Sequence, residues 1–516
     1  MNSYKIFWGE AHDNTYQSDN SPRDNIWPAL ERARSHLDFY AAAYYLGGWQ
    51  AGPVLQGGCR IGLEGWKPQE RYEREWGEVQ RATAECNDPG AFVTFPGYEW
   101  QGDGSSGDHN VFSRNEGLPI FHVDKLADLY AALRDHDAIA IPHHTWYRPG
   151  VRGRDWSVYD ERLSPFSEVY SAHGSSETDE EWVRMRVNSH MGPGFGGGNY
   201  QAALDRGYRI GAICSTDNNG EMPGHYNHGS MACLAPELTR DALWEAFRSR
   251  RVYGVTGDRI AVDFQLDDQP MGSMLKASGA RRIQVAVTGC DALDRIEILR
   301  NGQVIHTQCH QGTWQFPGTR SRFKMRIECG WGARDAVVPV MTREWAGRLT
   351  VDGGQMLGAD PCWISPQTTL PDLRQDTAVF QLRTSTANVG EPVQNAFNFE
   401  FEADPAAAMR LELNGLQETG TVAEFAAESR EIWYKDECIA MLKEKVGMAP
   451  GSPERNDIYH HLAFKAKLHR TMPAAAYTAE LEFEDDTPLT AEANYRVRIE
   501  QRNGQRAWTS PIWVTA

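Results

Sequence analysis

The stretch "FWGEAHDNTYQSDN", Phe7 to Asn20, carries Glu10, His12 and Asn14 at alternate positions behind a short apolar run, Ile6-Phe7-Trp8. Alternate side chains of a strand share one face. A buried strand that ends in carboxylate, imidazole and amide predicts either a set of metal ligands or the polar end of a strand entering a loop. The choice turns on whether the other strands end in the same way.

Up to about Thr256, strand-like runs alternate with helix-like ones. The strand candidates are Lys5–Trp8, Ala91–Phe95, Ala138–Ile141, Glu168–Tyr170 and Ile210–Cys214. Between them, "PRDNIWPALERARSHL", "QERYEREWGEVQRATAEC", "VDKLADLYAALRDHD" and "TRDALWEAFRSRR" read as helices. In the third, Leu126, Leu129, Tyr130 and Leu133 recur at helical spacing. Such alternation predicts an α/β domain, a barrel by preference.

Polar, metal-competent residues follow nearly every strand. His12 follows Ile6–Trp8, Glu99 follows "AFVTFPGY", and His143 and His144 follow "AIAIP". Glu168 opens "EVYSAHGSSE", with His173 and Glu177 near its end, Asp217 follows "IGAICST", and His109 sits in "GDHNVF". In α/β folds the carboxyl ends of the strands form the ligand-binding rim, so residues far apart in sequence can converge there. Each alone reads equally as a loop hydrogen-bonder or cap, and Asp217 as a turn residue. Their conjunction favours a metal centre. Oxygen and imidazole donors without thiolate suit manganese, iron(II) or zinc. Adjacent strand residues point oppositely, so only one of His143 and His144 is expected to face the site unless a loop breaks the alternation.

The chain has 516 residues, 41% hydrophobic and 24% charged, with a net charge of −18. Single cores stop growing near ~250–300 residues, so at least two domains are expected. The negative charge disfavours nucleic-acid and anionic-membrane binding, a nuclease included. It still permits an anionic substrate beside a bound cation. No run of ~18 apolar residues occurs and none of signal-peptide length begins the chain. The nine cysteines are scattered without a C-x-x-C. These features lead to the expectation of a cytoplasmic protein with reduced thiols.

After about Val255 the texture turns to alternating strands. "RIEILRNGQVIHTQ" reads as strand, Asn-Gly turn, strand. One or two β-sandwich units are expected there, with a helical insert near 420–448. "GPGFGGGN", Gly192–Asn199, fits no phosphate-binding spacing.

The ordered stretches "WGEAHDNTYQSD", "FPGYEW", "GDHNVFS", "IPHHTW", "EVYSAHGSSE", "ICSTDNNG" and "LTRDALWEAFRSRRVYGVTGDRI" resemble the PHP (polymerase and histidinol phosphatase) superfamily, in a bacterial branch with a C-terminal β-rich extension. The likeness returns in "RVRIEQRNGQRAWTSPIWV". It implies a distorted (β/α)7 barrel over 1–262 and a β-sandwich-rich region over 263–516. It also implies a metal-dependent hydrolase, most often a phosphoesterase, acting on a small molecule. Carried over by position, His12, Glu99, His109, His143 (or His144) and Asp217 match metal ligands, Glu99 as the bridge, and Asp19 matches an acidic position. Three departures reduce the set: Asn14 replaces a histidine, "AYY" (Ala43 to Tyr45) replaces a T-D-H, and Asp217-Asn218-Asn219 replaces D-x-H. The resemblance then implies two divalent ions, manganese or else zinc or iron, with Asn14 as a weak amide-oxygen ligand or a hydrogen-bond partner of a metal-bound water. His173 is the candidate for leaving-group protonation or substrate contact, against the equal reading of a loop-ordering hydrogen bond. Arg148, with Arg152 and Arg154, is the candidate for binding a substrate anion, against the reading of an exposed basic loop. Cleavage of a C–N, ester or lactone bond and a degenerate, non-catalytic ligand-binding protein are the alternatives. A homo-oligomer is compatible with the sequence.

Overall fold

The computed structural model describes residues 4–17, 24–47, 67–150, 152–180, 185, 194, 196–217, 223–310, 314–332, 341–362, 369–386, 393–447 and 456–516. Asp19, Asn218, Asn219 and the start of the glycine-rich loop lie outside them. The chain divides into two compact units. The first comprises Met1–Thr288, Leu293–His310 and Ala479–Ala516, and the second Gly289–Ala292 and Gln311–Thr478. These units do not follow a single boundary after residue 262. The reason lies in the ladders: Ala261–Leu266 pairs with Arg281–Thr288, and Val252–Val255 pairs with Arg506–Thr509 from the C terminus.

The first unit contains strands β1 (Lys5–Thr15), β2 (Phe39–Tyr45), β3 (Val93–Phe95), β4 (Gly97–Trp100), β5 (His109–Ser113), β6 (Ala138–Pro142), β7 (Phe166–Ser171), β8 (Gly174–Ser175), β9 (Gly211–Cys214), β10 (Ser230–Ala235) and β11 (Val252–Val255). Among them run helices α1 (Ile26–Arg34), α2 (Gln69–Cys86), α3 (Leu126–Leu133), α4 (Tyr200–Asp205) and α5 (Arg240–Arg248). Asn25 and Thr239 cap α1 and α5 with their side chains, as such residues do at helix starts. The main sheet runs β11–β10–β1–β2–β4–β5–β6, with β3 also on β2, and it continues beyond β11 into the C-terminal strands. β7, β8 and β9 form a separate sheet.

The two sheets meet at two seams. The Ser167 hydroxyl of β7 donates to the Pro142 carbonyl of β6 at 3.1 Å. β9 and β11 approach so closely at Gly254 that a Cβ there would lie 2.2 Å from the Cys214 sulfur. Neither seam carries a backbone ladder, so among the described residues the expected seven-stranded barrel is not a closed sheet. Mixed strand directions add to the irregularity, since β4–β5, β5–β6 and β10–β11 are antiparallel.

Side-chain alternation sorts the first unit's sheet into two cores. Tyr40, Ala42, Tyr44, Tyr98 and Val111 face the helices, against Leu30, Trp76, Val79 and Leu129. Ala11, Phe39, Ala41, Phe112 and Ile139 face inward. α5 seals this inner core at the strands' starting ends, where Phe247 meets the rings of Phe39, Phe95 and Phe166. The opposite, carboxyl ends remain for polar residues.

The second unit is a β-sandwich. A six-stranded sheet that includes Ser321–Trp331 and Gln394–Ala403 shares one apolar core with a five-stranded sheet that includes Thr342–Val351 and Ala408–Leu413. The insert expected near 420–448 holds helices Val422–Ala427 and Lys435–Val446, split by strand Arg430–Trp433. Among the described residues no helix is long and apolar enough to cross a membrane.

Candidate metal centre

A bulge in β1 builds the first part of the site. Glu10 pairs with Tyr40 and Asp13 with Ala42, so Ala11 and His12 together oppose Ala41. The extra residue shifts the strand's phase. Glu10 turns to the helix-covered face with Tyr40, and Asn14 turns inward with Ala43, beside His12. Glu10 then serves as an internal acceptor: Oε1 takes the N–H of His12 at 2.8 Å and of Thr216 at 3.1 Å, and Oε2 takes that of Gly224 at 3.1 Å.

His12 is surrounded by residues from three other strand ends. Its Nδ1 lies 3.2 Å from Glu168 Oε2 of β7. Its Nε2 lies 3.5 Å from Asp217 Oδ1, after β9, and 3.9 Å from Glu99 Oε2 of β4. The Asp217 N–H donates to the His12 carbonyl at 2.8 Å, which ties the end of β9 to β1. The rings of His12 and His143 are 4.0 Å apart.

Both histidines after β6 reach the cluster. Ile139 and Ile141 face inward, so alternation carries His143 inward too. His144 has a φ of 32°, which breaks the alternation and brings its ring to 4.4 Å from that of His143. His143 Nε2 stands 3.6 Å from Glu99 Oε1, and His144 Nε2 3.3 Å from Asp108 Oδ2. Asp217 (φ 45°) and Arg152 (φ 65°) share this left-handed region. Non-glycine residues held there cost energy and concentrate at functional sites. Arg152 Nε donates to Asp108 Oδ2 at 2.7 Å. His173 holds Nδ1 at 2.8 Å from the Tyr147 hydroxyl and Nε2 at 3.4 Å from Asp217 Oδ2.

The electrostatics draw positive charge into the cluster. Burial opposes charge on His12, yet Asp217, Glu168 and Glu99 hold its imidazole well above the ordinary value. Burial also opposes ionisation of Glu99 and Asp217, yet neighbouring histidines hold both carboxyls below their usual range. Burial pushes the Glu168 carboxyl up to about 7, against the pull of His12. It pushes the His143 and His173 imidazoles down to about 4. Among the described residues, four carboxyl groups (Glu99, Asp108, Glu168 and Asp217) thus share the space with the Arg152 guanidinium.

The donor set fits a divalent cation. His12, His143 and Asp217 offer ligand atoms within 4.8 Å of one another, and so do Asp108, His143 and His144. His12 Nε2, both His143 nitrogens, Glu99 Oε2, Asp217 Oδ2 and Asn14 Oδ1 are buried without a hydrogen bond. Buried polar atoms are almost always satisfied, so so many at one point indicate a group they would bind. Nitrogen and oxygen donors suit manganese, iron(II) or zinc.

The sequence-predicted residues divide. His12, Asn14, Glu99, His143, His144, His173 and Asp217 lie on or beside the cluster. His109 does not. It pairs with Trp100 on the outward face of β5, and its ring meets those of Trp100 and Tyr130. The neighbouring Asp108 carries the carboxylate inward instead. Arg148 is exposed. Arg154 is buried and holds its own loop, donating to the Ser106 carbonyl at 3.1 Å. Arg152 meets the cluster, through Asp108 and Glu99. Tyr45 faces inward in register with Glu99, whereas Tyr44 faces α2 and donates to Glu75 at 2.9 Å. Sequence reasoning missed Asp108 and the pairing of Glu168 with His12. Period-two counting from an inward Asn110 marks Asp108, but "HNVF" has apolar residues in both phases. In the β-rich region, the His306 ring packs tilted against that of Phe483 and His460 lies 3.8 Å from Glu431, in no metal-ligand group among the described residues.

No family model matches the chain. Similar proteins include an uncharacterized protein of Chlamydia pneumoniae, 25% identical over 325 residues, which are 58% of this chain and 48% of that one. Uncharacterized proteins of Chlamydia muridarum and Chlamydia trachomatis are 29% and 26% identical over 35% and 44% of this chain, and 31% and 40% of their own length. The chain thus spans about half the length of these relatives, or less. Among solved structures, it is similar to a two-domain protein from Bacteroides vulgatus described as containing a predicted PHP-like metal-dependent phosphoesterase. The identity is 10%, over 82% of this chain and 96% of that one, with a TM-score of 0.32. At that score the likeness carries no argument about this chain.

Proposed function

We propose that this protein is a metal-dependent hydrolase whose divalent ion is held by His12, His143 and Asp217, and whose substrate is a small-molecule phosphoester. One observation carries the reading: three ligand-type side chains from separate strand ends converge within 4.8 Å, with buried donor atoms that make no hydrogen bond. A divalent ion there supplies Lewis acidity to water and to the electrophilic centre under attack.

The chain's own residues supply orientation and charge. Glu168 holds Nδ1 of His12, which fixes the tautomer and aims Nε2 at Asp217 and Glu99. Glu99 and Asn14 offer two further inward oxygens. The Tyr147 hydroxyl meets Nδ1 of His173 and Asp217 lies 3.4 Å from its Nε2, and this ring, which burial keeps neutral, is the candidate for contacting the substrate at its leaving group. Arg152 adds a permanent positive charge beside the cluster. A cation next to a guanidinium favours a reacting group that carries negative charge, which supports phosphorus over a neutral carbonyl.

Elemental analysis of protein purified with supplemented manganese, joined to a panel of phosphoesters, amides and lactones, tests this. Bound metal and phosphoester turnover, both lost in Asp217→Asn, are the expected results. Turnover confined to amides or lactones would replace the phosphoester, and metal-free wild-type protein would leave only a ligand-binding role.

A further inference from the structure

Resting on that reading, we infer that the centre takes one divalent ion, and that the guanidinium of Arg152 stands where a second would bind. The second group of ligand-type atoms is Asp108, His143 and His144. It shares His143 with the first group, and a neutral imidazole has a single lone pair to give. Once His143 serves the first ion, Asp108 and His144 remain.

Both carboxylates that would hold a second ion are already engaged. Asp108 Oδ2 accepts hydrogen bonds from Nε and Nη2 of Arg152. Glu99 divides its two oxygens in the same sense. Oε2, toward His12, is buried without a hydrogen bond. Oε1 accepts from Gln101 Nε2 at 2.9 Å and lies 3.8 Å from Arg152 Nη2. The carboxylate therefore presents an open oxygen to the first group only.

The loop that delivers Arg152 is tightly built. The Arg152 N–H donates to the Gly104 carbonyl at 2.7 Å, and the Gly153 N–H to that of Arg148 at 3.1 Å. A Cβ on Gly153 would lie 1.8 Å from the Tyr147 carbonyl oxygen. The buried Arg154 anchors the next turn. A guanidinium stays charged at any working pH, so it repels a second cation permanently.

Counting metal tests this without reference to turnover. The full chain is stripped with a chelator, reloaded with Mn2+, desalted and analysed. Wild type and Arg152→Lys should each hold about one ion, and the charge-free Arg152→Gln should hold about two. Arg152→Met provides a second charge-free variant should Arg152→Gln fail to fold. Two ions in the wild type, or one in the folded charge-free variants, would overturn the inference. No ion in any of them would instead overturn the metal reading on which it rests.

Discussion

His36 shows how a single buried side chain sets a pH response away from the cluster. It follows α1, is almost fully buried, and lies 2.9 Å through Nε2 from the Pro223 carbonyl. Burial, with Arg259 nearby, pushes its imidazole from 6.5 down to about 4. Between those values the unfolded chain binds a proton that the folded chain refuses. Stability from this residue is therefore complete above pH 6.5 and falls as the pH drops toward 4, by up to about 3 kcal/mol. The denaturation midpoint of the wild type should fall more steeply across that window than that of His36→Gln, which keeps a donor for Pro223. Equal slopes would show that His36 is not held neutral. At this scale the sequence was legible in residue types and ambiguous in phase. His12, Glu99, His143 and Asp217 followed from polar residues at the ends of apolar runs. The bulge that separates Glu10 from His12, the left-handed φ that admits His144, and the exchange of His109 for Asp108 depend on backbone geometry. No residue type in those stretches encodes that geometry.

Strand Ala493–Gln501, near the C terminus, is laddered to Leu293–Arg300 and Arg506–Thr509 of the first unit and also meets it through one buried carboxylate. Glu177 follows β8 and is fully buried. It accepts from the buried Arg496, from Arg498 at 3.2 Å and from the Trp508 indole at 2.6 Å. Arg496 is itself almost fully buried, so Glu177→Gln leaves its charge without a countercharge. Removing one partner of a buried pair costs about 3–5 kcal/mol, and the variant should show a clearly lowered thermal midpoint. A change of under about 0.5 kcal/mol, the scale of surface substitutions, would mean that the charges are not desolvated. The same pair explains what was legible at the scale of elements. α2 was readable to its ends, because helical periodicity is local and "QERYEREWGEVQRATAEC" carries it in full. The strand "NYRVRIEQ" was readable as a strand, but its partners were not. Its hydrogen-bonding neighbours include Leu293–Arg300, and Arg496 reaches a carboxylate 319 positions earlier. Pairings over such distances leave no local pattern.

At the scale of the molecule, the chain order and the compact units differ. Apart from Gly289–Ala292, the second unit is an insertion, since the strands after it return to the first unit's sheets. Thr478–Asp485 joins the sheet of Ala261–Leu266 and Arg281–Thr288, and Arg506–Thr509 pairs directly with β11. Removing the C terminus therefore strips strands from the same sheet that carries β1. The first unit's two ends at the insertion are close, because the His306 ring lies 4.7 Å from that of Phe483. His310 and Ala479 are each four residues from that contact, which places them within roughly 40 Å of each other at full extension, both side chains included. A flexible linker of about twelve residues covers this span. A chain with residues 311–478 replaced by such a linker should fold and retain the wild-type metal content. A chain that simply stops at residue 478 should lose both, because β11 and its neighbours would then expose unpaired strand edges. Circular dichroism and elemental analysis of the two chains decide between an inserted sandwich and an obligatory one. Loss of metal from both would show that the first unit's core depends on the second, whereas retention in both would show that the C-terminal strands are dispensable to the site.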